Sequence, residues 1–126
     1  MRLFRLTGEL VFPHPSLAWD DGLLAVGGDL SMERLLLAYA NGIFPWYDEH
    51  SPILWWSPDP RQVLFPESFR VQASLRPLIR NARVEVTADT AFGEVMHACA
   101  RVPRRDQPGT WILPEMIAAY SRLHRE

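Results

Sequence analysis

Lysine is absent from this 126-residue sequence, cysteine occurs once, and no apolar run approaches the roughly 20 residues that cross a bilayer. Each lack excludes something. Cys99 alone allows no intrachain disulfide, which suits a reducing compartment. The stretch Met1 to Glu9, broken by Arg2 and Arg5, lacks the uninterrupted apolar core of a signal peptide. The expectation is a cytoplasmic protein with no membrane partner. Gly27-Gly28-Asp29 matches neither GxGxxG nor GxxxxGK[ST], so it reads as a turn into a helix and not as a phosphate loop. His14, His50, His97 and His124 are widely spaced and form neither a metal-ligand pattern nor a nucleophile cluster. No metal and no cofactor is expected.

What is present is ordinary in bulk and uneven in detail. Hydrophobic residues make up 48% and charged residues 22%, enough apolar content for a core. The net charge of −2 hides an asymmetry: residues 1–60 carry three Arg against eight acidic residues, and residues 61–126 carry ten against seven. All thirteen basic residues are Arg, which a codon bias explains, although guanidinium groups also suit phosphate contacts and stacking.

The pattern along the chain is that of a mixed α+β protein. Residues 2–12 read as an edge strand or extended arm, closed by Pro13-His14-Pro15. Trp19 to Gly22 is a turn, and Leu23 to Val26 a short buried run. Ser31 is placed to cap a helix whose Leu35, Leu36, Ala38 and Tyr39 give an apolar face, ended by Asn41-Gly42. Prolines at 45, 52, 58 and 60 exclude a regular helix from Ile43 to Pro60. Residues 61–66 and 84–87 read as strands, and 74–81 as a short helix limited by Pro77. A further helix spans about 91–100, capped by Asp89 or Thr90, and a last one starts at Pro114. That last helix carries Met116, Ile117, Tyr120 and Leu123 on one side and meets Arg125-Glu126 without a cap or a following element. It reads as part of a domain cut short, whose apolar face, if exposed, drives association.

Five Trp in 126 residues is a high count, and four of them fall in three motifs. The first is Gly27-Gly28-Asp29-Leu30 with Gly42-Ile43-Phe44-Pro45-Trp46. The second is Ile53-Leu54-Trp55-Trp56-Ser57-Pro58-Asp59-Pro60-Arg61, and the third is Gly109-Thr110-Trp111-Ile112 with Ala119 to His124. Burial is the expected fate of Trp55 and Trp56. Trp46, beside the polar run Tyr47-Asp48-Glu49, is the better candidate for stacking on an unpaired base. Ser57 to Arg61 is a rigid turn suited to holding the Trp-bearing loop. Arg76 and Arg80 share a helix face, with Arg70 and Arg83 nearby; Arg101, Arg104 and Arg105 form a second, loop-borne set.

In order and spacing these motifs resemble the bacterial leucyl/phenylalanyl-tRNA–protein transferase family. The resemblance implies transfer of Leu, Phe or Met from aminoacyl-tRNA to the N-terminal Arg or Lys of an acceptor protein, marking it for degradation. It implies a small N-terminal α+β domain, residues 1–62 here, followed by the start of a GNAT-like domain, residues 63–126. It also implies that catalytic residues lie downstream of Glu126, so none is expected in this chain. Trp46 and Trp111 fall at the site for the aminoadenosine end of tRNA, and Arg76, Arg80 and Arg83 are candidates for acceptor-stem phosphates. An activated ester and a partly neutral α-amino group require positioning, proton removal and oxyanion stabilisation, without an obligatory metal. The alternative is a module that binds the tRNA 3′ end without chemistry.

Overall fold

The computed structural model describes residues 3–81, 85–103, 105 and 109–126. It is a mixed α/β structure in two compact units, residues 1–59 with 91–126, and residues 60–90.

The first unit is built on a four-stranded sheet of order β1-β2-β4-β3: β1 Phe4–Leu6, β2 Leu23–Gly27, β3 Phe44–Pro45 and β4 Leu54–Trp56. The edge position expected of the N-terminal segment is where β1 lies. It runs parallel to β2, a pairing that requires the long connection through residues 7–22. The other pairs are antiparallel, and a register shift between Leu23 and Ala25 brings Ala25 opposite Trp55. Pro45 sits on the opposite edge strand, where its missing N–H costs no central ladder bond.

Helix α1, Met32–Ala40, begins as the sequence predicts, with the Ser31 hydroxyl accepting from the Arg34 N–H at 3.4 Å. It ends at Asn41 and at Gly42, whose φ of 71° favours glycine. Leu35 and Ala38 face the core, while Leu36 and Tyr39 are half exposed. Helix α3, Phe92–Arg101, follows, but neither Asp89 nor Thr90 caps it. Ala91 occupies the cap position without a side-chain bond, and the Thr90 hydroxyl pairs with that of Thr87.

Helix α4, Pro114–Arg125, corrects the expectation of an unmet apolar face. Met116 and Ala119 are buried, and Tyr120 and Leu123 pack against the cluster of Leu24, Ala25, Leu35, Ala38, Ile43 and Trp55. The face meets the N-terminal sheet and α1, elements that all end by Trp56 and that helical periodicity alone does not identify. The Tyr39 and Tyr120 hydroxyls lie 2.6 Å apart across α1 and α4. Burial of Tyr120, and then that hydrogen bond, hold its phenol well above the usual range.

Within the second unit, helix α2 spans Arg76–Arg80, close to the short helix expected. The strand expected at 61–66 is absent. No strand pairs with these residues among those described, Val63, Leu64 and Phe65 are exposed, and Pro66 opens a 3-10 turn to Ser68. Apolar alternation makes a strand only when a partner supplies the ladder. Residues 85–87 are likewise irregular; Val84 lies outside the described residues.

Candidate nucleotide-stacking site

The first unit contains a cavity of about 340 Å³ lined by Trp46, Tyr47, Asp48, Ser51, Leu54, Trp56, Thr110 and Trp111. It joins two segments distant in sequence, the loop and strand around β3 and β4 on one side and the approach to α4 on the other. Trp46 and Trp111, singled out from the motifs, therefore lie at one site.

Each wall has a local cause. Trp46 follows the edge strand β3, and its N–H bonds the Leu54 carbonyl at 3.0 Å, which keeps the backbone in register while the indole remains 45% exposed. Trp56 donates its indole N–H to the Trp46 carbonyl at 2.6 Å, and the two rings lie 5.8 Å apart at 59°. Trp55, pointing to the opposite face as strand alternation requires, is fully buried and donates to the Gly27 carbonyl at 2.9 Å. The expectation that both were core thus holds for Trp55 and is corrected for Trp56, which is partly exposed and forms part of the cavity wall. Two consecutive strand residues face opposite ways, so an adjacent pair of indoles cannot share one core.

The turn at Ser57-Pro58 braces this wall. The Ser57 N–H bonds the Gly22 carbonyl at 2.8 Å, and its hydroxyl donates to the Gly42 carbonyl, at the start of the Trp46 segment, at 3.2 Å. Gly22 has φ of 94°, and a Cβ there would sit 2.8 Å from Pro58, so only glycine fits.

Tyr47 is the lining residue that sequence reasoning placed wrongly. It reads as part of a polar run, yet its ring is buried with Leu113 and Met116, and its hydroxyl donates to Glu115 Oε1 at 3.3 Å. Burial, and then the Glu115 carboxylate, push its phenol up to about 12. Its neighbour Asp48 accepts from the Ser51 hydroxyl at 2.5 Å and the His50 N–H at 3.0 Å. These bonds, the hydroxyl's first, hold its carboxyl below the ordinary value. On the far wall, the Thr110 hydroxyl accepts from the Ile112 N–H at 3.1 Å, fixing the turn that presents Trp111.

Arg34 was also not singled out. It is 1% exposed, and its Nη2 donates to the Thr7 carbonyl at 2.9 Å, the Glu9 carbonyl at 3.1 Å and Asp29 Oδ2 at 3.3 Å. It clasps the chain after β1 to the start of α1. The signal lay in an acidic residue five positions before an arginine at a helix start, a pattern too common to be specific.

In the second unit, Arg76 and Arg80 line a separate concavity with Phe69, Arg70, Val71 and Ile79. The guanidinium-bearing face expected of Arg76 and Arg80 is therefore contiguous with Arg70. Arg83, the third candidate, lies outside the described residues, as does Arg104. Among the described residues no group of three His, Cys, Asp or Glu side chains is placed to hold a metal ion, and no helix is long and apolar enough to cross a membrane.

Comparison with known proteins places this architecture. The leucyl/phenylalanyl-tRNA protein transferase family matches residues 63–126, and that family's N-terminal domain matches residues 28–59. The chain belongs to the leucyl/phenylalanyl-tRNA protein transferase family. It is 64% identical over 99% of its length to the leucyl/phenylalanyl-tRNA–protein transferase of Anaeromyxobacter sp. (strain Fw109-5), covering 53% of that protein. The transferases of Syntrophobacter fumaroxidans and Oleidesulfovibrio alaskensis are 61% and 60% identical, over 99% and 98% of this chain and 53% and 50% of their own lengths. The chain spans about half the length of the curated relatives it matches.

Proposed function

We propose that this chain contributes the tRNA-end-binding portion of a transferase that moves Leu, Phe or Met from aminoacyl-tRNA to the N-terminal Arg or Lys of an acceptor protein in the cytoplasm, marking the acceptor for degradation. The observation that carries this is the convergence of Trp46 and Trp111 on one cavity. An adenine has two π faces, and indoles from separate segments offer it stacking contacts worth about 1–3 kcal/mol per base. Trp56 and Leu54 supply apolar surface, and the Asp48 and Thr110 side chains offer polar groups at the walls.

Arg76 and Arg80, joined by Arg83, are assigned to the acceptor-stem phosphates; the shared concavity of Arg70, Arg76 and Arg80 supports that role. Residues 1–62 form the N-terminal domain in this proposal, and residues 63–126 the first part of a GNAT-like domain. Proton removal from the attacking α-amino group and stabilisation of the tetrahedral oxyanion are assigned to the part of the relatives' length with which this chain does not align. Within that division, the cavity holds the ester's adenosine, which fixes where the reacting carbonyl lies.

The test is binding of tRNA with and without its 3′-terminal adenosine, alongside transfer to a peptide with N-terminal Arg. Binding that weakens when the adenosine is removed, with no transfer by this chain alone, is the expected result. Indifference to the terminal adenosine would overturn the cavity's assignment, and turnover by residues 1–126 would overturn the division of labour.

A further inference from the structure

The two walls of the aromatic cavity come from segments that the chain does not hold together directly. Trp46 is carried by the loop after β3, and Trp111 by the turn before α4. Apolar packing brings the two segments together, since Tyr47, Leu113 and Met116 form one buried cluster with Trp111 packed against it. Such packing is non-directional and selects no particular register between the two walls. Among the described residues, the Tyr47 hydroxyl donates to Glu115 Oε1 across the two walls at 3.3 Å, an interaction with a defined direction. Tyr47 is next to Trp46 in sequence, and Glu115 stands in the first turn of α4, four residues after Trp111. The bond thus joins each indole's own segment to the other's.

We propose that Tyr47 and Glu115 are positioning residues that set the spacing of Trp46 and Trp111, and so the affinity of the cavity for a flat aromatic ligand. This rests on the adenosine reading of the cavity. Tyr47 is suited to the task because its ring is 7% exposed and packed against Leu113 and Met116, which flank Glu115, so a shift of this wall is carried through the ring to the loop that bears Trp46. Glu115 is exposed, so what the pair contributes is direction and register, with little of the fold's stability resting on it. A ligand held between two faces is sensitive to that register, because stacking contact falls off within fractions of an ångström of the optimal separation.

The test is equilibrium binding of a hydrolysis-resistant 3′-phenylalanylamido-adenosine to the chain, read by tryptophan fluorescence, with thermal melting of each variant alongside. Tyr47→Phe keeps the ring and the cavity wall but removes the bond, and is expected to weaken binding about three- to tenfold, the range of one hydrogen bond. Glu115→Ala should weaken it equally and Glu115→Gln, which keeps an acceptor oxygen, should restore most of it. The double variant Tyr47→Phe/Glu115→Ala should lose no more than either single change, because one interaction is removed in all three. Melting temperatures should stay close to the parent's. Wild-type affinity in Tyr47→Phe, while Trp46→Ala has lost binding, would overturn this inference alone; so would additive losses in the double variant. No binding by the unsubstituted chain would instead overturn the adenosine reading, and this inference with it.

Discussion

The indole N–H of Trp56 donates to the backbone carbonyl of Trp46 at 2.6 Å, so one tryptophan of the cavity fixes the backbone that carries another. Trp56→Phe removes that donor and keeps much of the ring area. Ligand affinity is expected to fall about fivefold, with a loss of stability near 1 kcal/mol for one hydrogen bond. Calorimetric titration with the aminoacyl-adenosine and a denaturant melt check the two effects separately.

Tyr47 offers a pH signature. Its phenol is raised to about 12, above the ordinary 10.0, by burial and by Glu115. A raised folded-state value means the neutral phenol is favoured by the fold, so its contribution is complete below pH 10 and is lost as pH rises toward 12. Absorbance titration at alkaline pH should show a step near 12 that disappears in Tyr47→Phe. Loss of a step near 10 instead would contradict the burial and pairing described.

Asp29 titrates in the opposite sense. The Ser31 hydroxyl first, then the Ser31 N–H and Arg34, hold its carboxyl below the ordinary aspartate value. The charged form is favoured by the fold, so the contribution is present above pH 4 and is lost as pH falls through the depressed value. Asp29→Asn should remove part of the acid lability in that window, measured as the slope of unfolding midpoint against pH. An unchanged slope would contradict it.

Arg34 is buried under three carbonyl or carboxylate partners, so Arg34→Ala is expected to cost about 1.5–3 kcal/mol, the scale of hydrogen bonds to a charged group. Arg34→Lys should recover only part of this, because all three bonds come from Nη2 and the lysine ammonium ends one bond short of that position. Urea unfolding of both variants measures the difference.

These residues also mark what was legible in advance. The helix at 32–40 was readable because its signals are local: a serine cap, an apolar face and a glycine stop. The short helix before Asn81 and the helix from Pro114 were readable from another local signal, a proline in the first turn of each. The strand expected at 61–66 failed because a strand depends on a partner that the segment itself does not specify. The destination of the apolar face of α4 was hidden for a related reason, since its partners lie in the N-terminal sheet. At the site, rare indoles in long motifs pointed to Trp46 and Trp111, whereas Tyr47 was obscured by the charged residues that follow it. Its burial depends on Leu113 and Met116, more than 60 positions away.

The most direct measurement of the cavity's role is the dissociation constant of the aminoacyl-adenosine for the chain and for Trp46→Ala and Trp111→Ala. If both indoles stack on the base, each substitution weakens binding about five- to 150-fold, the equivalent of 1–3 kcal/mol, while the fold persists. Binding by both variants with the affinity of the unsubstituted chain would contradict the assignment of this cavity to the tRNA end.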